Sequence, residues 1–379
     1  MDWQQRKIYK SILEKETGYI KKIWGEYNTV CLVYPNHYRI GMANLGFQTV
    51  YHLLNAQPSF LCERAFLSVS GNEARFVSGT AGIFSLENQK SIHDFDILAF
   101  SVSFENDYPN ILKMMDQSGI PLRTKDRSEK NPLVVGGGIA LTLNPEPLAE
   151  FFDVFILGEA EETLPEFCRH FEAARRSAVR REQFLKDTQK QLHNIYVPGL
   201  YEVIYSADSR IQSVVPREAG LPEKIKIRHV QDISSFRTQE IISASPTEME
   251  DMFLVEVNRG CARGCRFCAA SFVYRPVRFR GIQDIIESIN CGLKRKNKIG
   301  LVGTAVSDHP DIGSICEYIV AREAQAGLGS MRIDRIDENI VRLIKANNIE
   351  SVALAPEAGS QKMRDVLRKD ITEEDIMRA

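Results

Sequence analysis

MFLVEVNRGCARGCRFCAA, residues 252–270, decides how this chain is read. The apolar run MFLVEVN (252–258) predicts a strand, and Cys261, Cys265 and Cys268 follow on the loop at its carboxyl end. In barrels and open α/β sheets, active sites are built at that end. Three thiolates on one tight loop can hold three irons of a cubane cluster and leave the fourth without a protein ligand. An iron left open in this way can bind a small molecule and act on it. Zinc is the competing reading, but a structural zinc site needs four ligands. The nearest candidates for a fourth are Cys291 and His309. Cys291 falls opposite the stripe Ile282, Ile285, Ile286, Ile289 and Leu293, and the C-x3-C-x2-C triple has no paired half. His309 reads as a loop residue.

Downstream the pattern is regular. A helix is expected over 281–297, a strand over 299–306, a helix over 310–326 and a strand over 328–334. A helix over 336–347, a strand over 349–356, a helix over 359–368 and the start of another at 372 follow. That is four β/α units in series, as in a barrel or partial barrel. Upstream, strand candidates at 29–34, 65–69, 96–102, 132–137 and 153–158 alternate with helical stretches near 44–56, 106–118, 145–151 and 160–176. Such alternation argues for an α/β fold with a doubly wound, mostly parallel, Rossmann-like sheet. The expected domains are a helical segment over 1–27, an α/β domain over 28–192, a β-hairpin and linker over 193–250, and the β/α core over 251–379. The charged run 173–192 reads as a solvated helix.

Composition sets limits. With 379 residues, 44% of them hydrophobic, and a net charge of −2, nothing argues for a nucleic-acid or membrane-surface partner. The amino terminus is charged and has no apolar core segment, so it is neither a secretion signal nor a spanning helix. Eight cysteines scattered over such a length make no disulfide framework. A reducing cytoplasm is expected, and it suits an oxygen-sensitive cluster. Cys316 shares a face with Ile312, Ile315 and Ile319 and reads as core.

The triple, with Phe267 before its last cysteine, resembles the cluster motif of the radical S-adenosylmethionine (radical SAM) enzymes. The resemblance implies a 4Fe-4S cluster on Cys261, Cys265 and Cys268, whose open iron chelates S-adenosylmethionine. One electron then cleaves the sulfonium to a 5′-deoxyadenosyl radical, which abstracts a hydrogen atom from a substrate. GTAVSDHPD (303–311), SMRID (330–334) and APEAGS (355–360) carry the likeness onward. They and the cluster loop imply Phe267, Thr304, Ser307, Asp308, Arg332, Glu357, Gly359 and Ser360 as cofactor-binding positions. Asp308 and Asp311 read equally well as helix caps. The arginines of YRPVRFR (274–280) read either as cofactor or sulfide partners or as a solvated turn. The family implies six β/α units, of which four are read before Ala379. That pattern is expected of a truncated product, a fragment, or a barrel completed by another chain.

LAFSVSFEND (98–107), VVGGGIALTLNPEP (134–147) and FFDVFILGEAEETLPEF (151–167) resemble the cobalamin-binding domains that precede many radical SAM cores. The resemblance implies Ser101, Ser103, Gly136, Gly137 and Gly138 around a nucleotide tail. YPNHYRIGMANLG (34–46) departs from the D-x-H-x-x-G motif: His37 is followed by Gly41, one residue too far, and makes a poor cobalt ligand. A domain used for docking or scaffolding is the equal alternative. The expected function is therefore radical SAM chemistry on an unread substrate, with flavodoxin or ferredoxin as reductant. Methyl transfer is expected if cobalamin binds, and methylthiolation or another modification if it does not. The alternative of a different class is a catalytically incomplete iron–sulfur protein acting in binding or electron transfer.

Overall fold

The computed structural model describes the chain except residues 2, 70–81, 245, 250, 251, 330, 348, 350 and 351. It forms two compact units, Met1–Val230 and Gln231–Ala379. Among the described residues no helix is long and apolar enough to cross a membrane.

The first unit opens with α1 (Trp3–Leu13), shorter than the helical segment expected over 1–27. Then come β1 (Asn28–His37), α2 (Tyr38–Met42), α3 (Leu45–Ala56), β2 (Phe60–Ser68), β3 (Ile97–Ser101) and α4 (Tyr108–Gln117). β4 (Leu133–Gly137), α5 (Ile139–Leu143), β5 (Val154–Ile156), α6 (Thr163–Arg176), α7 (Arg181–Gln191) and β6 (Ile195–Tyr196) follow. The sheet runs β2-β1-β3-β4-β5-β6, parallel except for β6. The centre of β1 (30–34), β4 and β5 are continuous apolar runs because helices cover a parallel sheet on both faces. The strand order reverses between β1 and β3, so the carboxyl ends of those two strands border the crevice where such sheets take ligands. The expected hairpin is β7 (Tyr201–Tyr205) paired with β8 (Ile211–Pro216).

In the second unit β9 (Phe253–Arg259) is flanked by α8 (Ala270–Val273), β10 (Arg278–Phe279) and α9 (Ile282–Leu293) in sequence. β11 (Lys298–Gly303), α10 (Ile312–Val320), β12 (Gln325–Leu328), α11 (Glu338–Ala346), α12 (Gln361–Leu367) and α13 (Glu373–Arg378) follow. The sheet runs β10-β9-β11-β12, with β9, β11 and β12 parallel. Ile285 and Ile289 of α9 and Ile315, Cys316 and Ile319 of α10 bury against Phe253, Val255, Val257, Ile299 and Leu301. Each such side chain contributes about 2 kcal/mol through the apolar area it removes from water. Cys316 is core, as its helical face requires. Within the 216–250 stretch, the segment at 238–240 runs along β9, with Glu240 N–H donating to Leu254 O at 2.9 Å and Glu256 N–H to Thr238 O at 3.1 Å.

Three strands and one helix differ from expectation: β2 runs Phe60–Ser68 rather than 65–69, and α5 lies at Ile139–Leu143 rather than near 145–151. The third barrel strand is Gln325–Leu328, not 328–334, because α10 stops at Val320 and Glu323 turns the chain in a left-handed conformation at φ 53°. AREAQAG is built of helix formers, and a ladder to Lys298–Leu301 overrides that propensity. Of the expected strand 349–356, residues 350 and 351 lie outside the described residues, and 352–356 form no ladder. The barrel portion is therefore three parallel strands among the described residues, with the fourth unit present as its helix α12.

Candidate functional site

At the end of β9 the chain must turn sharply. Gly260 does so at φ +82°, with its Cα against the carbonyls of Tyr274 and Pro276, where any Cβ would collide. Those carbonyls accept from Arg278 Nη2 at 3.3 Å and Nε at 3.0 Å. Arg275 Nη2 donates to the Arg263 carbonyl at 3.0 Å. The cysteine loop is thus pinned to the segment after it. Cys261 and Cys265 are buried, Cys268 is half-buried, and all three are free thiols. Arg263 N–H donates to Cys261 Sγ at 3.4 Å. Burial pushes the Cys261 thiol up, the Asp308 carboxylate and Cys265 add to that, and the Arg263 N–H opposes it.

The donor set fits an iron–sulfur cluster: three thiols on one loop, with no disulfide among them. No group of three His, Cys, Asp or Glu side chains closes around one point among the described residues, so the loop carries its donors without a finished cage. Neither zinc candidate joins them. Cys291 packs at the margin of the core, where its sulfur accepts from Gln239 Nε2 at 3.7 Å. His309 uses both ring nitrogens within the protein: Nδ1 accepts from Asp311 N–H at 3.1 Å, and Nε2 lies 2.9 Å from the Arg280 carbonyl.

The positions nominated for the cofactor fall into two groups. Ser307 accepts from Arg332 N–H at 2.9 Å. Asp308 accepts from Arg263 Nε and Nη2 at 3.2 and 3.3 Å, and Arg335 lies 3.5 Å away. Arg332 pairs with Asp334 at 2.9 Å and donates to the Lys369 carbonyl at 3.1 Å. Glu357 pairs with Lys369 at 2.9 Å, and that ammonium stands 5.4 Å from the centre of the exposed Phe267 ring. Ser307, Asp308, Arg332, Glu357 and the cysteine loop are therefore one connected polar network. Thr304 is half-buried at the end of β11, and Gly359 faces open space. Ser360 caps α12 by accepting from Met363 N–H at 3.3 Å.

Arg263, Asp334 and Lys369 were not nominated from sequence. The signal was present: residues 259–280 hold six arginines and no carboxylate, so any carboxylate partner must come from outside the segment. In YRPVRFR, Arg280 reaches Glu256 at 2.6 Å and Thr238 at 2.8 Å, which assigns it to the fold rather than to a solvated turn. Although burial works the other way, the guanidiniums of Arg259 and Arg280 hold the Glu256 carboxyl below its usual range.

In the first unit, Ser101 ends β3 and Ser103 follows it at the switch point, while Gly136 and Gly137 end β4 and Gly138 follows. A Cβ at Gly136 would stand 2.7 Å from Leu141 and 2.8 Å from Phe152. Gly138, at φ +110°, packs on the Val102 backbone, which donates its N–H to Gly137 O at 2.8 Å. Ser103 Oγ accepts from Asn44 Nδ2 at 3.0 Å. Gly136, Gly138 and Ser103 are thus engaged by the chain itself, which leaves Ser101 and Gly137 with room.

Residues 46–198 match the family described as radical SAM proteins, N-terminal, and residues 255–379 match the radical SAM superfamily. An uncharacterised protein of Methanocaldococcus jannaschii is 26% identical over 354 residues, 92% of this chain and 65% of that protein. A putative methylthiotransferase of the same organism is 23% identical over 227 residues, 50% of this chain and 51% of that one. The cobalamin-dependent S-adenosylmethionine radical enzyme OxsB, solved with aqua-cobalamin and S-adenosylmethionine bound, is similar at a TM-score of 0.53 and 15% identity, over 93% of this chain and 47% of that one. At that identity the likeness carries the fold. The chain spans about half to two thirds of the length of these relatives. With both its units matched and the cysteine triple at the head of the second, the chain belongs to the radical SAM proteins.

Proposed function

We propose that this chain carries the cluster and cofactor site of an enzyme that reductively cleaves S-adenosylmethionine and modifies a substrate by radical chemistry. The observation that carries the reading is the triple of free thiols on the loop after β9, tied through Arg263 to Asp308 at the end of β11. Cys261, Cys265 and Cys268 would hold three irons of a 4Fe-4S cluster and leave the fourth open. When bound, the cluster supplies one electron to the sulfonium of S-adenosylmethionine. Around that point the chain's own residues bind and orient. Ser307, Arg332 and Glu357 present polar groups from three successive segments, Gly359 faces open space, and buried Arg364 fixes the last turn. Arg364 does so by donating to the carbonyls of Ala358, Gly359 and Ile371 at 3.0, 3.1 and 2.9 Å. The electron would come from a small carrier such as flavodoxin or ferredoxin.

The likeness to a putative methylthiotransferase favours methylthiolation as the second reading, ahead of cobalamin-dependent methyl transfer, because Gly136, Gly138 and Ser103 are engaged internally. Anaerobic reconstitution followed by reduction with S-adenosylmethionine tests the proposal. 5′-Deoxyadenosine is the expected product. A cluster that assembles and yields none would leave an iron–sulfur protein for binding or electron transfer.

A further inference from the structure

We infer that Arg263 is a positioning residue, one that locks the cysteine loop to the strand ends that take S-adenosylmethionine; this rests on the cofactor reading just given. Its main-chain N–H reaches Cys261 Sγ at 3.4 Å. Its guanidinium forks onto both oxygens of Asp308, at 3.2 and 3.3 Å, and stands 3.7 Å from Asp334. One residue therefore touches a thiol ligand, the end of β11 and the turn after β12. The Arg263 side chain is 21% exposed, Asp308 11% and Asp334 16%, so water competes little for these bonds. A forked guanidinium–carboxylate pair fixes orientation as well as distance.

The lock propagates. Asp334 also holds Arg332, whose main-chain N–H binds Ser307 and whose side chain binds the Lys369 carbonyl. Lys369 in turn holds Glu357. A shift of Arg263 is transmitted to Ser307, Asp308, Arg332 and Glu357, four of the positions nominated for the cofactor, while the three thiols stay on their loop. Asp308, one of the positions implied for the cofactor, is already bonded to Arg263. The arrangement sets where the cofactor must sit relative to the open iron before it arrives, and placement of that kind is what lowers a reaction's entropic barrier.

The test uses the full chain, reconstituted anaerobically, as wild type, Arg263→Gln, Arg263→Lys and Asp308→Asn. Iron per chain is measured, and the electron paramagnetic resonance spectrum of the reduced cluster is titrated with S-adenosylmethionine. Arg263→Gln and Asp308→Asn are expected to keep wild-type iron and the wild-type cofactor-free spectrum. Both should need roughly tenfold more S-adenosylmethionine for the spectral change, with Arg263→Lys between because it keeps charge without the fork. An unchanged titration in Arg263→Gln overturns the inference. Loss of iron in both Arg263→Gln and Asp308→Asn overturns it too, since the pair would then serve cluster assembly. A wild type whose spectrum ignores S-adenosylmethionine would instead sink the cofactor reading itself.

Discussion

Two loops in this chain stand at the carboxyl ends of buried parallel strands and carry the residues that attract attention in the sequence. At the end of β4, Gly136 and Gly138 are consumed by their own unit: Leu141 and Phe152 fill the space beside Gly136, and the Val102 backbone fills that beside Gly138. After β9 the opposite holds. One glycine, Gly260, is spent on the turn, and it leaves three thiols unpaired behind a clamp of arginines and aspartates. Glycine is ambiguous because the same missing Cβ admits a ligand or a neighbouring strand. Three thiols on eight residues are far less so, because the packing of a core seldom asks for them.

The largest expected effect falls on the second loop. Cys265→Ser should bring reconstituted iron to background while the amide circular dichroism of the chain is kept. Wild-type iron in that variant would show that the triple is not the ligand set. Next is Gly138→Ala, which puts a side chain at φ +110° against the Val102 carbonyl. It should cost about 3 kcal/mol by urea unfolding, from left-handed strain and overpacking together. Gly137→Ala is its control, since the nearest atom to a Cβ there is the Ile156 carbonyl at 3.7 Å. That variant should match the wild type within about 0.5 kcal/mol. If Gly138→Ala were equally mild, the first loop would have slack enough to receive a ligand, and the contrast between the loops would fail. Titration of the full chain with hydroxocobalamin asks the same question directly. No stoichiometric complex is expected, and a coloured one that survives gel filtration would restore methyl transfer.

What was legible in the sequence follows the same division. Strand cores of β1, β3, β4, β9 and β11 announce themselves because burial on both faces demands continuous apolar runs. β12 did not, since Gln325 and Ala326 belong to a helix-forming stretch that only pairing with β11 makes extended. The thiol triple could be read from spacing alone. Asp308 and Arg332 could be nominated, but their bonds to Arg263, Asp334 and Lys369 could not, because those three come from separate β/α connections. The folded chain alone brings them together.

The smallest effect separates Glu256 of the second unit from Asp153 and Asp107 of the first by the sign of their response to acid. Within β9, half-buried Glu256 is held below the ordinary glutamate value of 4.5 by Arg259 and Arg280. A depressed carboxyl stabilises the fold above its unfolded value, and that contribution is lost as pH falls through the lower folded one. In the first unit, burial outweighs Arg127 at Asp153, and outweighs the Asn36 and Asn110 hydrogen bonds at Asp107, so both carboxyls titrate above their usual 3.8. Those two oppose folding while charged, and the penalty is relieved as pH falls through their raised values. Hydrogen exchange followed from neutral pH downward, corrected for the intrinsic rate, should therefore show opposite contributions. Asp153 and Asp107 make the first unit's contribution less unfavourable before pH 4, while amides of β9 and β10 lose protection only below about 4.5. Glu256→Gln should abolish that late loss in β9 and start from lower protection, because it leaves Arg259 and Arg280 without their counter-charge. Loss in β9 at a pH well above 4.5 would mean that the arginines do not hold Glu256 ionised, and that the strand beneath the cysteine loop is braced by apolar packing instead.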